Sequence, residues 1–138
     1  MKKYLFVVTV LLGLIHTEFA AASGNWLRPE VLNVVPDRVF ISTPFDSNED
    51  VEIFIGGQFL NSCFRAGRAT AQIDSDRKII YINNEVYFYE SSWCLQVVKS
   101  YVHTLHLGFL SPGTYQIISW DNRGQERVFG ELSVFLAE

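Results

Sequence analysis

Cys63, in FLNSCF, and Cys94, in SSWCLQ, are the residues of this chain whose chemistry is easiest to bound. A pair of thiols can be a redox centre, part of a metal site, a nucleophile with its base, or a cross-link. The spacing is far too long for a C-x-x-C redox motif. A structural zinc site takes four Cys or His ligands. Beyond residue 22 the chain offers only His103 and His106 besides the two thiols. At i, i+3 on a strand those histidines point to opposite faces and cannot share a metal without a bulge. A cysteine nucleophile needs a histidine base, and no motif ties either histidine to either cysteine. The expected outcome is a Cys63–Cys94 disulfide, with no metal and no cofactor. Closing a loop of about 32 residues stabilises a fold by about 3.5 kcal/mol in the chain-entropy model. That is a large share of the ~5–15 kcal/mol typical of a domain.

The other reactive side chains are less informative. Asp46, Glu49 and Asp50 crowd one segment, and Asp74 and Asp76 another. Calcium needs several oxygens converging on one point, and the first segment lacks the glycine and distal glutamate of an EF-hand. Both read as solvated acidic loops. No G-x-S-x-G elbow is present, and Ser119-Trp120-Asp121 has no histidine near it in sequence. A small hydrolase acting on envelope or glycan material remains the alternative. It requires acids such as Glu85, Glu90 and Asp121 to meet in a concave pocket with their pKa values pushed apart.

Aromatic residues are abundant: Tyr81, Tyr87, Phe88, Tyr89, Trp93, Tyr101 and Trp120. Strand alternation puts Tyr87 and Tyr89 on one face and Phe88 on the other. Either Phe88 or the tyrosine pair is therefore expected outside. Tyr87, Tyr89 and Trp93 form the expected binding surface for a protein or a sugar ring.

The elements that must position these groups read as strands. Val51–Ile55, Lys78–Ile82, Val86–Tyr89, Leu95–Val98, Leu105–Leu107, Tyr115–Ile118 and Leu132–Leu136 are short runs rich in β-branched and aromatic residues. Pro36-Asp37 separates two further runs, Val31–Val35 and Arg38–Thr43. Pro44–Asp50, Asp74–Asp76, Asn83-Asn84, Ser111–Gly113 and Asp121–Gly124 carry turn chemistry, the last as a hairpin loop. Nothing has the 3.6-residue apolar stripe of a helix. Eight or nine antiparallel strands in a β-sandwich are predicted.

The chain opens MKKYLFVVTVLLGLIHTEFAAAS. Two lysines, an apolar run over Tyr4–Ile15 and a row of small residues are the pattern of a signal peptide cleaved after Ala22. The run is well short of the ~20 apolar residues a spanning helix needs. Residues 23–138 are then expected to form a single domain, with no membrane insertion after cleavage, in the periplasm or secreted. An oxidising compartment fits the disulfide. The 138-residue chain carries a net charge of −4. Nucleic acid requires a basic footprint, so it is excluded as a partner.

Two stretches carry a resemblance. LGFLSPGTYQII, Leu107–Ile118, resembles the ending of immunoglobulin-like exported domains, where a Pro-Gly turn is followed by a Gly-x-Tyr-x-Ile strand. GGQFLNSCF with the later SSWC is similar to small exported bacterial sandwiches in which an Asn-Ser-Cys loop faces a second cysteine. Trp93 directly precedes Cys94, so the Cys…Trp…Cys order of antibody domains is absent. The resemblance implies a fold and carries over no catalytic residue. The functional expectation is a non-catalytic exported binding module with a protein or glycan partner. Besides the hydrolase, the alternatives are a protease inhibitor presenting loops such as Ser111–Gly113 or Asp121–Gly124, and a structural envelope component that buries its aromatic face in an oligomer.

Overall fold

A computed structural model describes residues 28–42, 44–90 and 93–138 of the chain; the expected leader, residues 1–22, lies outside them. Among the described residues there are nine strands and no helix: β1 (Glu30–Asn33), β2 (Arg38–Ile41), β3 (Phe45–Asp46), β4 (Asp50–Phe59), β5 (Phe64–Asp74), β6 (Ile79–Phe88), β7 (Lys99–Phe109), β8 (Gly113–Trp120) and β9 (Glu126–Phe135). They build two sheets. One has the order β2-β4-β7; the other runs β1-β6-β8-β9-β3, with β5 also paired to β6. β5 takes the whole length of one edge of β6. β1 and β8 share the other edge, at Glu85–Phe88 and Ile79–Ile82 respectively.

Period-2 alternation explains which faces meet. Val51, Ile53 and Ile55 from β4 and Leu105 and Leu107 from β7 point inward from the smaller sheet. Ile80 and Ile82 from β6, Tyr115 and Ile117 from β8, and Leu132 and Val134 from β9 meet them from the larger one. Burial of these side chains is the main force holding the layers together.

The expectation of antiparallel strands throughout is corrected at two places. β6–β8 and β3–β9 run parallel. The chain leaves β6, crosses to the other sheet as β7, and returns as β8 running in the same direction as β6.

Two local expectations also change, and one strand appears where none was expected. Asn83-Asn84 is not a turn but the middle of β6. Tertiary partners override the local preference: the Asn84 side chain turns inward, and its Nδ2 donates to the Val34 carbonyl (3.2 Å) and the Tyr101 hydroxyl (2.8 Å). Leu95–Val98 does not form a strand, and all four residues are exposed. The bond there is with the loop ahead of Cys63: the Ser62 N–H donates to the Leu95 carbonyl. β5, in contrast, is an eleven-residue strand built on FRAGRATAQID, a composition with few strand formers. Its small residues Ala69 and Ala71 are partly buried and pack against the core. No helix of the described residues is long and apolar enough to cross a membrane.

At the Asp50 end of the sandwich, the Pro112-Gly113 turn opens β8 with Gly113 at φ 142°. Tyr115, fully buried, donates its hydroxyl proton to the Ser111 carbonyl at 3.0 Å. Lys78 lies over the Tyr115 ring, 4.8 Å from its centroid, and its ammonium donates to Ser111 Oγ at 2.7 Å. Lys78 itself holds a left-handed φ of 58°. That conformation costs roughly 1 kcal/mol in a residue with a side chain, and the two contacts of its ammonium offset it.

Candidate functional site

The opposite end of the sandwich is closed covalently. Cys63 and Cys94 form a disulfide, with Cα atoms 5.4 Å apart. Hydrogen bonds tighten the same knot. The Leu95 N–H donates to Ser62 Oγ and the Ser62 N–H to the Leu95 carbonyl, each at 2.9 Å. The Tyr89 N–H donates to the Cys63 carbonyl, also at 2.9 Å. The Cys63 N–H is taken by Asn61 Oδ1 at 3.0 Å. The disulfide suggests a non-reducing environment outside the cytoplasm.

Apolar groups stand out around this knot. Trp93 is 83% exposed, Leu60 69% and Leu95 66%. Beside them a cleft of about 320 Å³ opens between the sheets, lined by Val34, Phe59, Leu60, Phe64, Val86 and Tyr101, with Asp37, Gln58 and Asn61 among its polar walls. Its aromatic rings form a continuous stack: Phe59 lies 4.8 Å from Tyr101 and 5.9 Å from Phe64, and Phe64 lies 4.9 Å from Phe88. Gly57 makes room for this stack, because a Cβ there would fall 2.6 Å from the Tyr101 oxygen. Burial pushes the Tyr101 phenol above its ordinary pKa. The Asn84 hydrogen bond opposes that rise, and the negative charge of Asp37 adds to it. Behind the cleft, Asn84 Oδ1 and His103 Nε2 are buried and have no hydrogen-bond partner among the described residues.

The residues expected to form a binding surface occupy different environments. Tyr87 projects from the outer face of the larger sheet, in register with Val31 and Arg65. Tyr89 lies just past β6, with the Arg65 guanidinium 5.5 Å from its ring. Both tyrosines are half-buried, whereas Trp93 is open. Phe88 continues the inward row of β6 onto Phe64.

His103 and His106 face opposite sides of the smaller sheet, His103 inward and His106 outward with its Nδ1 2.7 Å from Glu52. Among the described residues no three His, Cys, Asp or Glu side chains group as a metal site. The acidic segments act as turns: Glu49 accepts from the Asp46 N–H, and Asp74 from the Arg77 N–H. The carboxylates considered for hydrolysis are dispersed. Asp121 lines an open cleft of about 700 Å³ beside Asn33, Arg123 and Glu126, which Glu85 and Glu90 do not line. Asp121 Oδ1 is occupied in shaping the β8–β9 hairpin, accepting from the N–H groups of Arg123 (2.8 Å) and Gln125 (3.0 Å).

Two features escaped the sequence reading. Leu60, 69% exposed, lines the cleft at the disulfide end, a placement set by the fold rather than by its sequence neighbours. Tyr81 and Trp120, from β6 and β8, touch on the outer face of the larger sheet. The Tyr81 column could be traced from alternation along β6, but its neighbour on β8 depends on strand order. The chain matches no protein-family model, no curated protein and no solved structure.

Proposed function

We propose that this chain is an exported, non-catalytic binding module, periplasmic or secreted, that grips a protein partner with its disulfide-pinned end. The single observation that carries the reading is Trp93, 83% exposed on a segment that the Cys63–Cys94 bond holds in place. A large aromatic on an ordered backbone is the usual anchor of an interface, because little entropy is lost when it is buried. Leu60 and Leu95 extend the apolar knob, and the neighbouring cleft supplies a concave counterpart with polar groups at its walls. This combination of apolar centre and polar surround suits a protein surface.

The immunoglobulin-like build belongs to the same proposal. Its support is the Tyr115 hydroxyl bonded to the backbone four residues upstream, at the corner where the chain changes sheets, as in the tyrosine corner of that fold. The parallel β6–β8 pair marks a departure from its usual strand order.

Placing a photo-crosslinking residue at position 93 in the native host tests the function. The expected result is a discrete protein adduct from position 93 and none from position 106, on the outer face of the smaller sheet. Equal labelling from both positions, or no adduct from either, defeats the reading.

A further inference from the structure

The outer face of the six-stranded sheet carries a second aromatic feature, roughly 20 Å along β6 from Tyr87 at 3.3 Å per residue. Tyr81 and Trp120 meet there with ring centroids 5.1 Å apart and planes at 52°. Trp120 is 39% exposed. With Thr70, Gln72 and Asn83 they line a cleft of about 290 Å³. A second, more open groove of about 610 Å³ continues from it, sharing Gln72 and Tyr81 and ending at Asp74, Ser75 and Asp76.

We propose that this groove is a binding site for a neutral glycan, with one sugar ring stacked at Tyr81–Trp120 and the chain running toward the Asp74–Asp76 turn. A pyranose ring has C–H faces and a hydroxyl rim. The faces need an aromatic surface, and the rim needs groups that both donate and accept. The inner cleft supplies both: two aromatic rings, the amides of Gln72 and Asn83, and the Thr70 hydroxyl. No charged side chain lines it, which suits a ligand that is polar and uncharged. Its volume is at the small end of the ~300–1,000 Å³ typical of small-ligand sites, in keeping with one ring. At the open end Asp74 is paired with Arg77 at 3.8 Å, so the preference for an uncharged sugar rests on the uncharged lining of the inner cleft, with Asp76 as the acid at the groove's end that has no ion pair among the described residues.

The scaffold is also right for recognition. Tyr81 and Asn83 sit on β6, paired on both edges, and Trp120 ends β8, which is paired to β6 and β9. Side chains on a doubly paired strand lose little freedom on binding. This site lies on a different surface from the Trp93 knob and does not rest on it.

The test uses the disulfide-bonded mature chain, titrated by calorimetry with cellohexaose, chitohexaose, maltohexaose and hexagalacturonate, and applied to an array of neutral and acidic glycans. Saturable binding to at least one neutral oligosaccharide, and none to hexagalacturonate, is expected. Trp120→Ala should weaken that binding by about tenfold or more, as loss of a stacked ring does for flat ligands. Gln72→Ala, a surface change on the edge strand, should weaken it several-fold without affecting the fold. Trp93→Ala should leave glycan affinity unchanged, just as Trp120→Ala should leave the position-93 crosslink unchanged. The proposal is overturned if no neutral glycan binds, if acidic glycans bind as well, if neither groove variant weakens binding, or if the position-93 partner protein proves to cover the groove.

Discussion

The two ends of this sandwich are closed by different means. At the Asp50 end, a buried tyrosine ties its own turn together, and Lys78 adds a charge-assisted hydrogen bond and a ring contact. Phe109, in register with Asp50, and Phe135, in register with Asp46, are still exposed there, at 73% and 57%. At the other end a covalent bond does the closing, and Trp93, Leu60 and Leu95 remain in solvent. In the interior between the ends, Asn84 Oδ1, His103 Nε2 and Ser119 Oγ are buried with no hydrogen-bond partner among the described residues. Both ends leave large apolar side chains exposed, so exposure does not separate them. The difference is that the exposed Trp93 sits next to a covalent cross-link, which limits the freedom of its backbone.

Breaking the cross-link should have the largest effect. Cys63→Ser with Cys94→Ser should lose about 3.5 kcal/mol, read as a lowered midpoint in urea with little change in the Tyr115 end's hydrogen-exchange protection just below that midpoint. Equal loss of protection at both ends would show that they are not separable. Gly57→Ala comes next. Its Cβ displaces the Tyr101 ring, and overpacking of this kind costs about 1–3 kcal/mol; the adjacent cleft should change shape, visible as shifted aromatic resonances of Phe59 and Phe64. Tyr115→Phe removes the hydroxyl bonded to Ser111 and Lys78 and should cost about 1 kcal/mol, with no change in crosslinking at position 93.

Alkaline titration separates the two ends by sign. Tyr101 is raised above 10.0 by burial, so its contribution to stability is complete below pH 10.0 and is lost as pH rises through the folded value. Burial also pushes the Tyr115 phenol up, but the Ser111 and Lys78 hydrogen bonds and the Lys78 charge outweigh it and leave the phenol below 10.0. Its shift therefore adds stability above pH 10.0 that disappears as pH falls through the folded value. Near-ultraviolet absorbance should show the Tyr115 signal before the Tyr101 signal, each removed by the matching Tyr→Phe change. The opposite order would reverse the assignment. The smallest effect on stability belongs to Trp93→Ala, because its side chain is 83% exposed, although it should abolish partner capture.

Much of this architecture was legible in the chain. Val51–Ile55, Tyr115–Ile118 and Leu132–Leu136 announce themselves by alternation, and Pro112-Gly113 and Asp121–Gly124 mark the turns on either side of β8. β5 was invisible because Ala, Gly and Arg carry no strand signal; it is a strand because β6 offers a full edge to pair with. Asn83-Asn84 misled for the opposite reason, since a strong local preference yielded to partners supplied by Val34, Asn33 and Tyr101.

By itself the sequence determined what depends on neighbours along the chain: the all-β character, the turns, the pairing of its two cysteines, and the opposed faces of His103 and His106. Only the tertiary structure decided what depends on residues far apart in sequence. Strand order brought Tyr81 to Trp120, the disulfide brought Cys94 and the adjoining Trp93 to the Cys63 loop, and the inward turn of Phe88 fixed which tyrosines face outward. Alternation assigns a side chain to a face, but which faces are covered and which neighbours share them is set by how strands far apart in the chain pair and pack.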